Sequence, residues 1–131
     1  MSDTYTGEEK RQFLRQRHEK PVRYKVLNIG RGRKGASRFM DAVSKNLSAS
    51  GILFSSNDMP KISSLLVLEL DYRIAQICKE IEENALIVNN KLFGKVVRIE
   101  DNGSGLYDIG VAFIKKFDDL TENIKALIYQ S

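Results

Sequence analysis

The chain has 131 residues, of which 42% are hydrophobic and 29% charged, with a net charge of +4. This is the length of one ordinary domain that can bury a core. No apolar run approaches the ~20 residues of a membrane span, the single cysteine (Cys78) excludes an internal disulfide framework, and one His with one Cys leaves no classical zinc site.

Charge is unevenly spread. Eleven Lys or Arg residues and one acid, Glu19, lie between Lys10 and Arg38; the other ten bases are mixed with sixteen acids. The N-terminal third is an anion-seeking segment, or a solvated basic arm. The first residues are polar and acidic, unlike a secretory signal, so the expected location is cytoplasmic.

Residues 1–10 read as a flexible tail and 11–131 as a single domain. Val22, Tyr24 and Val26 alternate with Arg23 and Lys25 behind Pro21, the period of a half-exposed strand. Gly30-Arg31-Gly32-Arg33-Lys34-Gly35 reads as a basic hairpin tip without the spacing of a dinucleotide-binding turn. Phe39 to Leu47 resumes a strand pattern, Ile52-Leu53-Phe54 predicts a short buried strand, and Asn57-Asp58-Met59-Pro60 is turn chemistry. A strong strand is expected over Ile62 to Leu70, with Leu66, Leu68 and Leu70 on one face. Ile74, Ile77, Cys78, Ile81 and Ala85 recur at helical spacing, which predicts an inserted amphipathic helix of about three turns near 73–85. Leu86-Ile87-Val88 is another short strand. Phe93 to Glu100 and Leu106 to Ile114 flank Asp101-Asn102-Gly103-Ser104-Gly105 as a hairpin. Leu120, Ile124, Leu127 and Ile128 predict a C-terminal helix, with Asp118 and Asp119 near its start where the helix dipole favours acids. Several short strands with glycine-bearing turns indicate a small barrel, since closure removes exposed edges. Its expected core includes Leu66, Leu68, Val97, Ile99, Ile109, Val111 and Phe113.

Two short motifs carry chemistry. Arg11-Gln12-Phe13-Leu14-Arg15 places two guanidinium groups four residues apart, a spacing that shares one face on a helix or on an extended chain. Arginine forks onto phosphate oxygens, forks onto O6 and N7 of guanine, and stacks on a purine. Asn46-Leu47-Ser48-Ala49-Ser50-Gly51 adds an amide that offers donor and acceptor to a purine edge, a hydroxyl two residues on, and a glycine that either takes a positive φ or lets backbone approach a ligand. The kit suits a ligand with both phosphates and purine edges. Each motif alone is common; the pair in this order, with a strand between and a barrel after, is far more specific.

With those motifs, with Pro21-Val22-Arg23-Tyr24, with Phe93-Gly94-Lys95-Val96-Val97-Arg98 and with Gly110-Val111-Ala112-Phe113, the chain resembles the PilZ domain, a bacterial receptor module for the second messenger cyclic di-GMP. The resemblance runs from Lys10 to about Leu120, with Asn46 where many members carry Asp. It implies a mainly β fold, a six-stranded antiparallel Greek-key barrel with a C-terminal helix. It implies that Arg11 and Arg15 hold phosphate and guanine, that Asn46 and Ser48 hydrogen-bond a guanine, and that Gly51 permits the approach. Arg98 joins them because a basic residue there lies near the ligand in some members. The implied function is binding of cyclic di-GMP, with no cofactor, and relay to a protein effector through ordering of the N-terminal arm. The long 29–38 loop and the 71–85 insertion depart from the family pattern without removing a ligand position.

Catalysis is not expected. His18 lies in the basic arm with no sequence-near acid pair, Cys78 sits on an apolar stripe, and the pairs Glu82-Glu83 and Asp118-Asp119 suit no carboxylate dyad. Two alternatives remain: a PilZ-like adaptor that binds no nucleotide, and a basic barrel binding RNA or single-stranded DNA. The second would need aromatic stacking platforms beside its bases, and Trp is absent.

Overall fold

The computed structural model describes residues 16–17, 19–27, 38–74 and 76–130. Among them the strands are β1 (Gln16–Arg17), β2 (Pro21–Leu27), β3 (Met40–Leu47), β4 (Gly51–Ser56), β5 (Leu65–Glu69), β6 (Ile87–Val88), β7 (Lys91–Asp101) and β8 (Tyr107–Phe113). Six of them run in the order β3-β2-β5-β7-β8-β4, and pairing of β4 with β3 closes them into an antiparallel barrel. The short strands β1 and β6 attach to β3 and β7. β2, β3 and β4 are successive neighbours and β5 returns beside β2, which is a Greek key. The barrel expected from the sequence is the observed fold.

Period-two alternation fills the lumen. Val22 and Tyr24 of β2, Ile52 and Phe54 of β4, and Ile109, Val111 and Phe113 of β8 are all buried, and the Tyr24 and Phe54 rings lie 4.9 Å apart. The Tyr24 hydroxyl shares a 2.8 Å hydrogen bond with Ser56 Oγ, so neither buried oxygen is left unmatched. Burial pushes the Tyr24 phenol above its ordinary pKa, against the opposing pull of that bond.

Four consecutive buried residues, Leu65 to Leu68, make β5 apolar on both faces. Leu66 and Leu68 join the lumen. Leu65 and Val67 lie in a second cluster with Phe93, Ile114 and Ile128, the last from helix α2 (Glu122–Tyr129). That helix starts at Thr121, whose Oγ1 accepts from Ile124 N at 3.2 Å.

Four expectations need correction. β5 begins at Leu65, not Ile62; Ile62 is exposed in a turn whose next residue, Ser63, has φ 73°. The insertion is a 3-10 turn (Tyr72–Ile74) and then helix α1 (Cys78–Asn84), rather than one helix of three turns. Ile77 supplies no side-chain cap, and Ala85 is extended to bridge Lys115. Leu120 precedes α2 instead of lying in it, while Asp118 and Asp119 stand near the helix start as expected, and Asp118 Oδ2 accepts from Lys115 N at 2.8 Å. Val97 is 55% exposed instead of core, because alternation from buried Val96 turns it outward, and Ile99, which the bulge between Val96 and Arg98 returns to the lumen side, is only half-buried. The sequence reading also missed the β6–β7 hairpin, whose turn residues Asn89 and Asn90 both have positive φ. The tail and the Gly30–Gly35 hairpin tip lie outside the described residues.

Candidate functional site

Four residues far apart in sequence form one row across the barrel wall. Asn46 of β3 pairs with Leu53 of β4, Leu53 with Gly110 of β8, and Gly110 with Arg98 of β7. The strand neighbours of the two middle residues, Ile52, Phe54, Ile109 and Val111, are buried in the lumen, so the row lies on the outer face. Short β1 extends it, with Arg17 in register with Asn46.

Both ends of the row follow a bulge. β3 shifts register between Ser44 and Asn46, and β7 between Val96 and Arg98. Without the first bulge, alternation from buried Ser44 would send Asn46 inward and Leu47 outward. With it, Asn46 is partly exposed and Leu47 fully buried. The second bulge likewise leaves Val97 and Arg98 both on the outer face. The loop before β5 braces it: Ser63 N donates to Val96 O at 2.8 Å and Val96 N to Ser64 O at 3.0 Å.

Between the ends the wall is hollow. Small residues at Gly51, Gly110 and Ala112 floor an open depression of about 240 Å³, rimmed by Asn46, Ser48, Ser50, Leu53, Val97 and Arg98. Its two glycines have different reasons to be there. A Cβ on Gly51 would lie 2.3 Å from the Val111 carbonyl oxygen, so β4 and β8 can pair at this distance only with glycine. A Cβ on Gly110 would meet nothing nearer than Arg98 Cβ at 3.4 Å. Gly110 therefore answers no packing demand, and its lack of a side chain leaves the floor open.

Ser48 is committed to its own turn. Its Oγ accepts from Ser50 N at 3.3 Å and from Gly51 N at 3.2 Å. It donates toward Gly51 O at 3.3 Å, beside the backbone bond from Ser48 N to the same oxygen at 2.9 Å. The Asn46–Gly51 motif thus builds a self-bonded hairpin turn. Asn46 differs: among the described residues none hydrogen-bonds its carboxamide, which is free at the rim. Among the described residues Arg98 is held only by Glu100, at 3.7 Å with both side chains over half exposed, a pairing of little net strength that a ligand can replace.

Above the hollow a polar cluster ties three strands. Asp108 of β8 accepts from Lys45 Nζ at 3.2 and 3.3 Å, from Ser55 Oγ at 2.9 Å and from Asn102 Nδ2 at 3.2 Å. Burial pushes the Asp108 carboxyl up, but those hydrogen bonds and the Lys45 charge outweigh it and hold its pKa below the ordinary value.

Of the sequence-predicted site residues, Asn46, Ser48, Gly51 and Arg98 converge on this hollow. Arg11 and Arg15 lie outside the described residues, as does His18; Arg15 directly precedes β1 in sequence. Sequence reasoning missed Lys45, Leu53, Gly110 and Asp108. Gly110 and Ala112 left a signal, being small residues on the outward positions of β8 where polar ones are usual. Among the described residues no cluster of three or more His, Cys, Asp or Glu could hold a metal ion, and no helix is long and apolar enough to cross a membrane. A larger groove of about 570 Å³ beside α2 is lined by Leu27, Leu65, Ile114 and Ile124, part of the cluster that seats the helix.

The family model of the PilZ domain matches residues 9–130, nearly the whole chain and both motifs. No curated protein matches the chain.

Proposed function

From the premise that this chain belongs to the PilZ domain family, we propose that it is a receptor for cyclic di-GMP and not an enzyme. The observation that carries this reading is the outward row Asn46–Leu53–Gly110–Arg98. It sets a free carboxamide and a loosely held guanidinium at opposite ends of a row in which Leu53 stands beside Asn46 and Gly110 leaves the floor open beside Arg98. A guanine fits that arrangement, with its face over Gly110 and Ala112 and its edge toward the Asn46 amide. Arg98 supplies positive charge for a phosphate or a flat face for stacking. Arg11 and Arg15 supply the remaining forks, and β1, in register with Asn46 and Leu47, supports delivery of the arm to this rim. Ser48 and Gly51 act mainly by building the turn on which the rim stands, a narrower role than direct guanine recognition.

The relay is ordering of the N-terminal arm. Two phosphates neutralise the charges of Arg11, Arg15 and Arg17, and the arm folded over the ligand is a new surface for a protein effector. Hydrogen exchange measures this, with increased protection across Lys10 to Lys20 on saturation expected; unchanged protection would discard the relay and leave binding untouched.

Calorimetric titration with cyclic di-GMP, with GTP and a short RNA as controls, tests the binding itself. Saturable binding at micromolar concentration or tighter is expected for cyclic di-GMP alone. No heat with any of the three would favour the adaptor reading, and preference for RNA the nucleic-acid reading. The latter has little support in the hollow, where the described lining residues include no aromatic platform.

A further inference from the structure

We propose that Lys45 and Asp108 are positioning residues for this site: their ion pair holds the β3 bulge that turns Asn46 onto the outer face. The inference rests on the ligand reading above for its effect on affinity, but not for its effect on Asn46. Lys45 is the extra residue of the bulge, since β3 pairs Ser44 with Phe54 and then Asn46 with Leu53. An extra residue has no ladder partner, and a register slip of one would return Asn46 to the lumen side. The side chain of Lys45 reaches over β4 to the Asp108 carboxylate on β8. The same carboxylate takes the hydroxyl of Ser55, which stands between them in register with both Val43 and Asp108. Asp108 is two residues from Gly110 and Ser55 two from Leu53, so the cluster occupies the outer-face row next to the one that carries Asn46.

The opposite side of the bulge is anchored as well. Ser44 is fully buried; its backbone N–H donates to Lys20 O at 2.9 Å and its Oγ accepts from Lys20 N at 3.2 Å. Those bonds fall at the break between β1 and β2. Lys45–Asp108 outside and Ser44–Lys20 inside together pin the bulge between the ligand floor and the arm. The ion pair is half-exposed at Lys45, so it sets local geometry more than global stability.

The test uses the full chain with Lys45→Met, Asp108→Asn, the double variant and Lys45→Arg. In the ligand-free protein, the Asn46 side-chain amide resonances are followed by nitrogen-15 NMR; in titrations, cyclic di-GMP affinity is measured. Positioning predicts that Lys45→Met and Asp108→Asn each shift the Asn46 resonances and weaken binding about five- to tenfold. The double variant should be no worse than either single, and Lys45→Arg should stay within twofold of wild type. A direct Lys45–phosphate contact predicts the reverse for Asp108→Asn, which would free Lys45 and leave binding equal or tighter; that result overturns the proposal. Additive losses in the double variant overturn it too. Unshifted Asn46 resonances in both single variants overturn it whether or not the wild type binds cyclic di-GMP. If the wild type binds none while the resonances still shift, the receptor reading falls and the positioning role stands.

Discussion

Substitution at Gly110 and Gly51 separates a glycine kept for what lies on it from one kept for the fold. At Gly110 an added Cβ meets Arg98 Cβ at 3.4 Å and the Arg98 carbonyl oxygen at 3.9 Å, both ordinary contacts, and the residue is not in the positive-φ region. Gly110→Ala should therefore stabilise the protein by about 0.4–1 kcal/mol, through the lost freedom of the unfolded chain, and raise Tm by about 1–4 °C. Gly110→Val suits an outward strand position equally well, but stands a branched side chain in the middle of the hollow. If a guanine lies over this floor, what valine removes is a face contact of the order of base stacking, about 1–3 kcal/mol, so affinity for cyclic di-GMP should fall about ten- to a hundredfold. Gly51→Ala is the opposite case. Its Cβ would sit 2.3 Å from the Val111 carbonyl oxygen, a backbone atom that can retreat only if β4 and β8 part, at a cost of about 1–3 kcal/mol. Thermal melts paired with calorimetric titrations read both effects. Gly110→Val binding within twofold of wild type would refute the placement of the base, and Gly51→Ala melting as high as Gly110→Ala would refute the packing argument.

Arg11→Ala and Arg15→Ala should each weaken cyclic di-GMP by at least ~1.5 kcal/mol, the loss of a charge-assisted hydrogen bond; full affinity in the double variant removes both from the site. Asn46→Ala should lower affinity well beyond a Lys115→Ala control while leaving Tm near wild type. Ser48→Ala should lower Tm as well, by the equivalent of about 1–2 kcal/mol, because two backbone N–H groups lose their acceptor; indistinguishable melts for the two variants would contradict the division of labour. Acid should cost the wild type stability that Asp108→Asn does not have to lose. The folded pKa of Asp108 is depressed, so its contribution is full above the unfolded value near ~3.9 and disappears as pH falls through the lower folded value. The groups facing it are Lys45, Ser55 and Asn102, with Glu100 opposite in register on β7. Urea midpoints from neutral to strongly acid pH measure this, and parallel curves for the two proteins would refute it.

The fold was legible wherever one rule governed a stretch. Val22 and Tyr24, or Ile109, Val111 and Phe113, alternate because one face is lumen and the other solvent, and the structure buries those residues. Legibility failed where two surfaces competed for one strand. Leu65 to Leu68 are all buried because α2 covers the outer face of β5, and a continuous apolar run does not mark where its strand begins. The helical spacing of Ile74 to Ala85 was real, but periodicity carries no information on where hydrogen bonding breaks, and the break between the 3-10 turn and α1 shortened the predicted helix.

The site was legible as chemistry and not as geometry, for one reason that recurs at both rims. Asn46, Ser48, Gly51 and Arg98 could be named from motif and resemblance, yet strict alternation would place Arg98 on the inner face of β7, in line with Val96, and make Val97 an outward neighbour only. A bulge inserts one residue without a sequence signature of its own; its partners lie elsewhere in the fold, Asp108 of β8 for β3 and the Ser63–Ser64 backbone of the loop before β5 for β7. The same blindness hid Gly110, since its meaning depends on Leu53 and Arg98 lying on either side of it. A row of four residues, one from each of four strands, exists only after the barrel closes. The proposed function of this surface is therefore tied to the barrel's register: any change that slips β3 or β7 by one residue removes the row from the outer face while leaving every motif residue in the sequence.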